Sequence, residues 1–90
     1  MSSPITLENL IEDLHGIDFE ILEYEKKYKM LSFYFLPLYE TGNLEENHDW
    51  GDWAALLNMR VKRIELFRKF LPQALSKLPI YGPIKVFEPA

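Results

Sequence analysis

Apolar side chains recur at helical spacing from the start of the chain: Ile5, Leu7, Leu10, Ile11 and Leu14 are separated by polar positions, Pro4 suits a first helical turn, and Gly16 suits a left-handed stop. This predicts a short first helix. A second is predicted to start at Asp18 as N-cap, with Glu20 in the first turn where the helix dipole favours acids and Ile17 placed to staple onto Leu22. Its seam of Ile21, Tyr24, Tyr28, Leu31, Phe35 and Leu38 alternates steps of three and four, the spacing of a helix packed on another helix. Pro37 inside that seam would cost about 3 kcal/mol in an unbroken helix. A break is therefore expected between Met30 and Pro37, with Ser32 available to cap a fresh segment.

Thr41-Gly42-Asn43 reads as a helix stop and Leu44 to His48 as a polar connection that reverses the chain. The third predicted helix runs from an Asp49 N-cap to Leu71, before Pro72. Projected at about 100° per residue, it carries one apolar stripe of Trp50, Trp53, Ala54, Leu57, Val61, Ile64 and Leu71. A second stripe holds Leu56, Met59, Leu66, Phe67 and Phe70. Two apolar faces need two partners. The hairpin supplies one, and the first helix, the tail or another subunit must supply the second. Past Pro72, Gln73 to Leu78 allow further turns, Pro79, Gly82 and Pro83 mark turns, and Ile84-Lys85-Val86-Phe87 alternates like a short strand. That segment reads as an extended strap over the helices or as a strand added to a partner's sheet edge. The expected fold is a single all-α domain of three to four helices around an antiparallel hairpin, about 18–41 with 49–71, with an extended C-terminal strap within 72–90.

Ninety residues allow one domain and exclude a large two-lobed enzyme. With 48% hydrophobic residues, 14% aromatic and only 27% charged, the chain is too apolar to stay disordered. The absence of cysteine excludes a disulfide framework, a thiolate metal site and a cysteine nucleophile, which fits a reducing cytoplasm. No signal-peptide pattern opens the chain, and its longest apolar run, Phe33 to Tyr39, is interrupted by Pro37, so no membrane span is expected.

Charge changes the picture more. Residues 1–54 set three lysines against twelve acids, a net −9, whereas residues 55–90 set seven basic residues against two acids, a net +5. Two arms of opposite sign suit an antiparallel hairpin whose arms attract. The cations Arg60, Lys62, Arg63, Arg68 and Lys69 fall around the whole third helix instead of on one stripe, which weighs against nucleic-acid binding through residues 60–69.

Candidate chemistry is sparse. Glu45, Glu46, His48, Asp49 and Asp52 bring carboxylates and an imidazole near one another, but their spacing matches no EF-hand loop or zinc helix, and a polar loop leading into an acid-favouring helix start explains them. His15 reads as a dipole partner at a helix end. The glycines at 16, 42, 51 and 82 stand singly, so no phosphate loop exists, and no serine has a histidine and an acid at triad-like spacing. Neither a cofactor nor catalysis is expected. The aromatic run Phe33-Tyr34-Phe35 with Tyr39, Trp50 and Trp53 has the makings of a base-stacking platform, yet its flanks from Glu40 to Asp52 are acidic and would repel phosphate. Core or protein interface is the better reading.

The stretch from Glu23 to Leu71, roughly half of the chain, carries Lys27-Tyr28-Lys29-Met30-Leu31-Ser32, then Phe35, Tyr39-Glu40-Thr41-Gly42-Asn43-Leu44, Asp49 and Trp53-Ala54-Ala55-Leu56. In this pattern it resembles small bacterial and archaeal proteins found as partners of toxin-like genes. Two positions depart from that pattern: Lys29 stands where glycine is usual, and Pro37 where a polar helix residue is usual. The resemblance implies a type II antitoxin-like protein that binds and neutralises a cognate protein. Phe33, Tyr34, Leu36 and Leu38 would then be anchors, and Glu45, Glu46 and Asp52 would oppose the toxin's cations. The alternative is a self-associating helical scaffold or small regulator, paired through Leu56, Met59, Leu66, Phe67 and Phe70.

Overall fold

A computed structural model describes residues 5–79 as three helices: α1 (Leu7–Tyr28), α2 (Ser32–Glu40) and α3 (His48–Leu75). The predicted strap, Ile84 to Phe87, lies outside the described residues, and no strand occurs among those described. No helix among them is long and apolar enough to cross a membrane.

α1 opens at Thr6, whose hydroxyl accepts the Asn9 N–H at 3.1 Å. The expected stop at Gly16 and restart at Asp18 do not occur, because the helix is continuous through both. The reason is the stripe Leu10, Leu14, Ile17, Ile21, Tyr24 and Tyr28, which keeps its three-and-four spacing across Gly16. Leu10, Ile17 and Ile21 are buried, and burying each side chain gains about 1.5–3 kcal/mol against the roughly 1 kcal/mol that a mid-helix glycine costs. α1 ends instead at Lys29, a left-handed residue (φ 51°, ψ 45°), where the N–H groups of Lys29 and Met30 both turn back to the Glu25 carbonyl. The expected break before Pro37 is thus present, at residues 29–31.

α2 keeps Pro37 within its nine residues. Ser32 does not cap it through its side chain: Leu31 is the N-cap, and the Ser32 N–H is taken by the Glu25 carboxylate at 2.8 Å. α3 is capped by Asn47, whose side chain accepts the Asp49 N–H at 2.9 Å, so the expected cap at Asp49 is displaced by two residues. The expected stop before Pro72 is also absent. Phe70, Leu71, Ala74 and Leu75 are all half-buried, and that continuing apolar face carries the helix past the proline.

α1 and α3 pack antiparallel, as the ion pairs show: from Lys27–Asp49 through Asp18–Arg60 to Asp13–Arg63, numbers fall on one helix as they rise on the other. The hairpin therefore joins α1 to α3, and α2 is a separate short helix on the first half of α3. At about 1.5 Å per residue, the 28 residues of α3 span about 42 Å and the nine of α2 about 14 Å. The buried apolar residues among those described are Leu10, Ile17, Ile21, Phe35 and Trp53, a small core for so long a pair of helices.

Candidate protein-binding surface

The N-terminal end of α3 is fastened to the C-terminal end of α1 by a buried carboxylate. Asp49 accepts from the Lys27 ammonium at 2.7 Å and from the Tyr28 hydroxyl, to which Asn47 also donates at 3.2 Å. The His48 imidazole lies 3.4 Å from the second carboxylate oxygen. The hydrogen bonds from Lys27 and then Tyr28 hold the Asp49 carboxyl below the ordinary carboxylate range, and the same contact raises Lys27. Burial, with Asp52 and Asp49 nearby, raises Tyr24.

Beside this clasp stands an aromatic cluster. The Trp53 ring, fully buried, stacks on Phe35 with centroids 3.8 Å apart and planes within 1°, and lies 5.8 and 6.0 Å from Tyr24 and Tyr28. Its indole N–H reaches the Ser32 hydroxyl at 2.9 Å. α2 is thereby held at three points, by the Phe35 ring, the Ser32 hydroxyl and the Ser32 N–H on Glu25. Every buried side-chain nitrogen and oxygen among the described residues has a partner.

The rest of α2 faces away from this anchorage. Phe33 is 80% exposed, Tyr34 59% and the preceding Leu31 60%, and the Phe33 and Tyr34 rings meet edge-to-face at 5.3 Å. Below Phe33 an open cleft of about 520 Å³ separates α2 from α3, with Leu36 and Pro37 on one wall and Ala54, Leu57 and Val61 on the other. Of the four expected anchors, Phe33 and Leu36 line this cleft together. Tyr34 and Leu38 are exposed and do not line it. A side chain that is both apolar and exposed on a rigid helix loses little conformational freedom when a partner covers it, which is the condition for an efficient anchor.

The expected acids are exposed too. Glu45 and Glu46 stand on the loop before α3 and Asp52 in its second turn, and among the described residues none of the three is in an ion pair. They do not close around a common point: no group of three potential ligands that could hold a metal ion occurs among the described residues. His48 points outward while Asp49 turns in to Lys27.

The second stripe of α3 is partly taken by α1. Leu56, Leu66, Phe67 and Phe70 are half-buried, and Phe67 shares a cleft with Ile11 and Leu14 of α1. Met59, 40% exposed, borders Gly16 and Ile17 on the other side of α1. The clasp residues Lys27, Tyr28 and Asn47 were missed by sequence reasoning. Only Tyr28 carried a signal, as a seam position whose hydroxyl would need a partner once buried. Comparison with protein-family models, with curated proteins and with solved structures gives no match to this chain.

Proposed function

We propose that this chain is a non-catalytic protein-binding module whose contact surface is α2 and the cleft beneath it. The carrying observation is that α2 is fixed by Trp53, Ser32 and Glu25 while Phe33, its most exposed large apolar side chain, stays 80% open to solvent. An apolar anchor with an acidic rim, formed by Glu40 on the cleft wall and Glu45 and Glu46 on the loop after α2, none of them in an ion pair among the described residues, suits a partner surface that is apolar at its centre and basic around it. The resemblance to antitoxin-like proteins supports a more specific form, in which the partner is an RNA-directed toxin and the acidic rim covers its cationic substrate channel.

Photo-crosslinking inside the host cell tests this reading. A photoreactive residue replacing Phe33 is expected to give one discrete conjugate with another protein, and the same residue replacing Glu23, on the far side of α1, none. Equal labelling from both positions, or none from position 33, would remove α2 as the contact surface. For the antitoxin-like form, the captured protein's activity should be suppressed by the chain and not by the Phe33→Ala, Tyr34→Ala variant.

A further inference from the structure

The two walls of the cleft beneath α2 share one spacing. α2 contributes Phe33, Leu36, Pro37 and Glu40, which stand at i, i+3, i+4 and i+7, one face of that helix. α3 contributes Ala54, Leu57, Asn58 and Val61 at the same intervals. The volume of about 520 Å³ between these stripes is open among the described residues. Seven residues rise about 10.5 Å, so each wall is two helical turns long.

The walls also select the backbone that can enter. Both are helices and no strand occurs among the described residues, so the cleft offers no strand edge to pair with. An extended segment pressed against Leu36, Pro37, Leu57 and Val61 would leave its own N–H and C=O groups without partners. A helix brings its backbone hydrogen bonds with it, and its ridges of side chains repeat at the spacing of both walls.

Charge narrows the choice further. Two charged side chains line the cleft: Arg60 is held by Asp18 at 2.6 Å, whereas Glu40 is in no ion pair among the described residues. Tyr39 borders both this cleft and the neighbouring one that holds Glu45 and Glu46, and Lys29, the cation just before α2, lines neither. The uncompensated charge at the cleft is therefore negative, the complement of a cation on the occupant.

We infer that the cleft receives an amphipathic α-helix of the partner protein, with apolar side chains at i, i+3, i+4 and i+7 spacing against Leu36, Leu57 and Val61 and a lysine or arginine against Glu40. The inference rests on the reading of α2 as a docking surface and adds the kind of element that docks there.

Three labelled peptides of about 14 residues, the length at which an isolated helix becomes marginal, test it by fluorescence titration into the purified chain. One has leucine and lysine at helical spacing, one has the same composition in strict alternation, and one has leucine and glutamate at helical spacing. The first should bind saturably, and the other two about tenfold or more weakly. Phe33→Gln with Val61→Gln, both exposed on the cleft, should weaken the first peptide about tenfold with an unchanged far-ultraviolet spectrum. Phe19→Gln with Leu22→Gln, equally exposed but outside the cleft, should change nothing. Glu40→Lys should shift the preference toward the leucine–glutamate peptide. Equal binding of all three peptides, or equal loss in the cleft and control pairs, would overturn the inference. So would a chain mass that doubles in sedimentation and returns to 10.7 kDa in the Phe33, Val61 pair, which would assign the cleft to a second copy. Binding of no peptide, with position 33 still capturing a protein in cells, would overturn the helix and leave the docking surface standing, whereas no capture at position 33 would remove both.

Discussion

Asp49 sits where three favourable terms converge: the positive end of α3, the Lys27 ammonium at 2.7 Å and the Tyr28 hydroxyl. Its carboxyl is depressed below the ordinary value of 3.8, so its contribution to stability is fully present above that value and is lost as pH falls through the lower, folded one. Lys27 is raised above 10.5, so the same contact persists below that value and is lost as pH climbs through the folded one, and neutral Tyr24, raised above 10.0, adds to the alkaline loss. The melting temperature should therefore be flat across the neutral range and fall at both extremes. Asp49→Asn should lower the neutral plateau and flatten the acid limb below pH 4, a comparison readable by thermal scans at stepped pH. Lys29 is the second informative residue. A side chain with a β-carbon at φ 51° is strained by about 1–2 kcal/mol, and glycine relieves that at an entropic cost of about 0.5–1 kcal/mol, so Lys29→Gly should leave stability unchanged or raise it by up to about 1 kcal/mol. A loss of stability in urea unfolding would contradict the left-handed cap.

The elements show which sequence signals held and which were outweighed. The seam Ile21, Tyr24, Tyr28 pointed correctly to helix packing, and Pro37 correctly required a break upstream. Neither feature fixed where the break falls, because that depends on the Asp49 clasp, formed by residues 21 and 22 positions apart. Gly16 and Pro72 misled for one physical reason. Each weakens a helix locally by a bounded amount, and in both places an apolar stripe continues through the weak point, buried at Leu10, Ile17 and Ile21 around Gly16 and half-buried at Phe70, Leu71, Ala74 and Leu75 around Pro72. The anchors on α2 were legible as an aromatic run, but their division into those that line the cleft and those that do not required the Phe35 and Ser32 contacts that set the helix rotation. Gly16 offers a direct check. A β-carbon added there meets nothing within 4 Å, and Gly16 lies in mid-helix, so Gly16→Ala should stabilise the chain by about 1 kcal/mol, near 4–8 °C in melting temperature. Were Gly16 a left-handed stop, the same substitution would destabilise.

On the scale of the whole molecule, the buried apolar set is too small for the helices it must hold. Among the described residues Leu10, Ile17, Ile21, Phe35 and Trp53 are buried, whereas Ile11, Phe19, Leu22, Phe33, Tyr34 and Val61 are between 42% and 80% exposed. A short chain with a thin core has little stability in reserve. If a second copy supplies the missing cover, folding and association are linked, and unfolding ceases to be a property of one chain. The melting temperature should then rise with protein concentration, since mass action favours the paired state. A melting temperature independent of concentration would mean that the chain holds itself together alone, and that the exposed apolar surface answers only to a foreign partner.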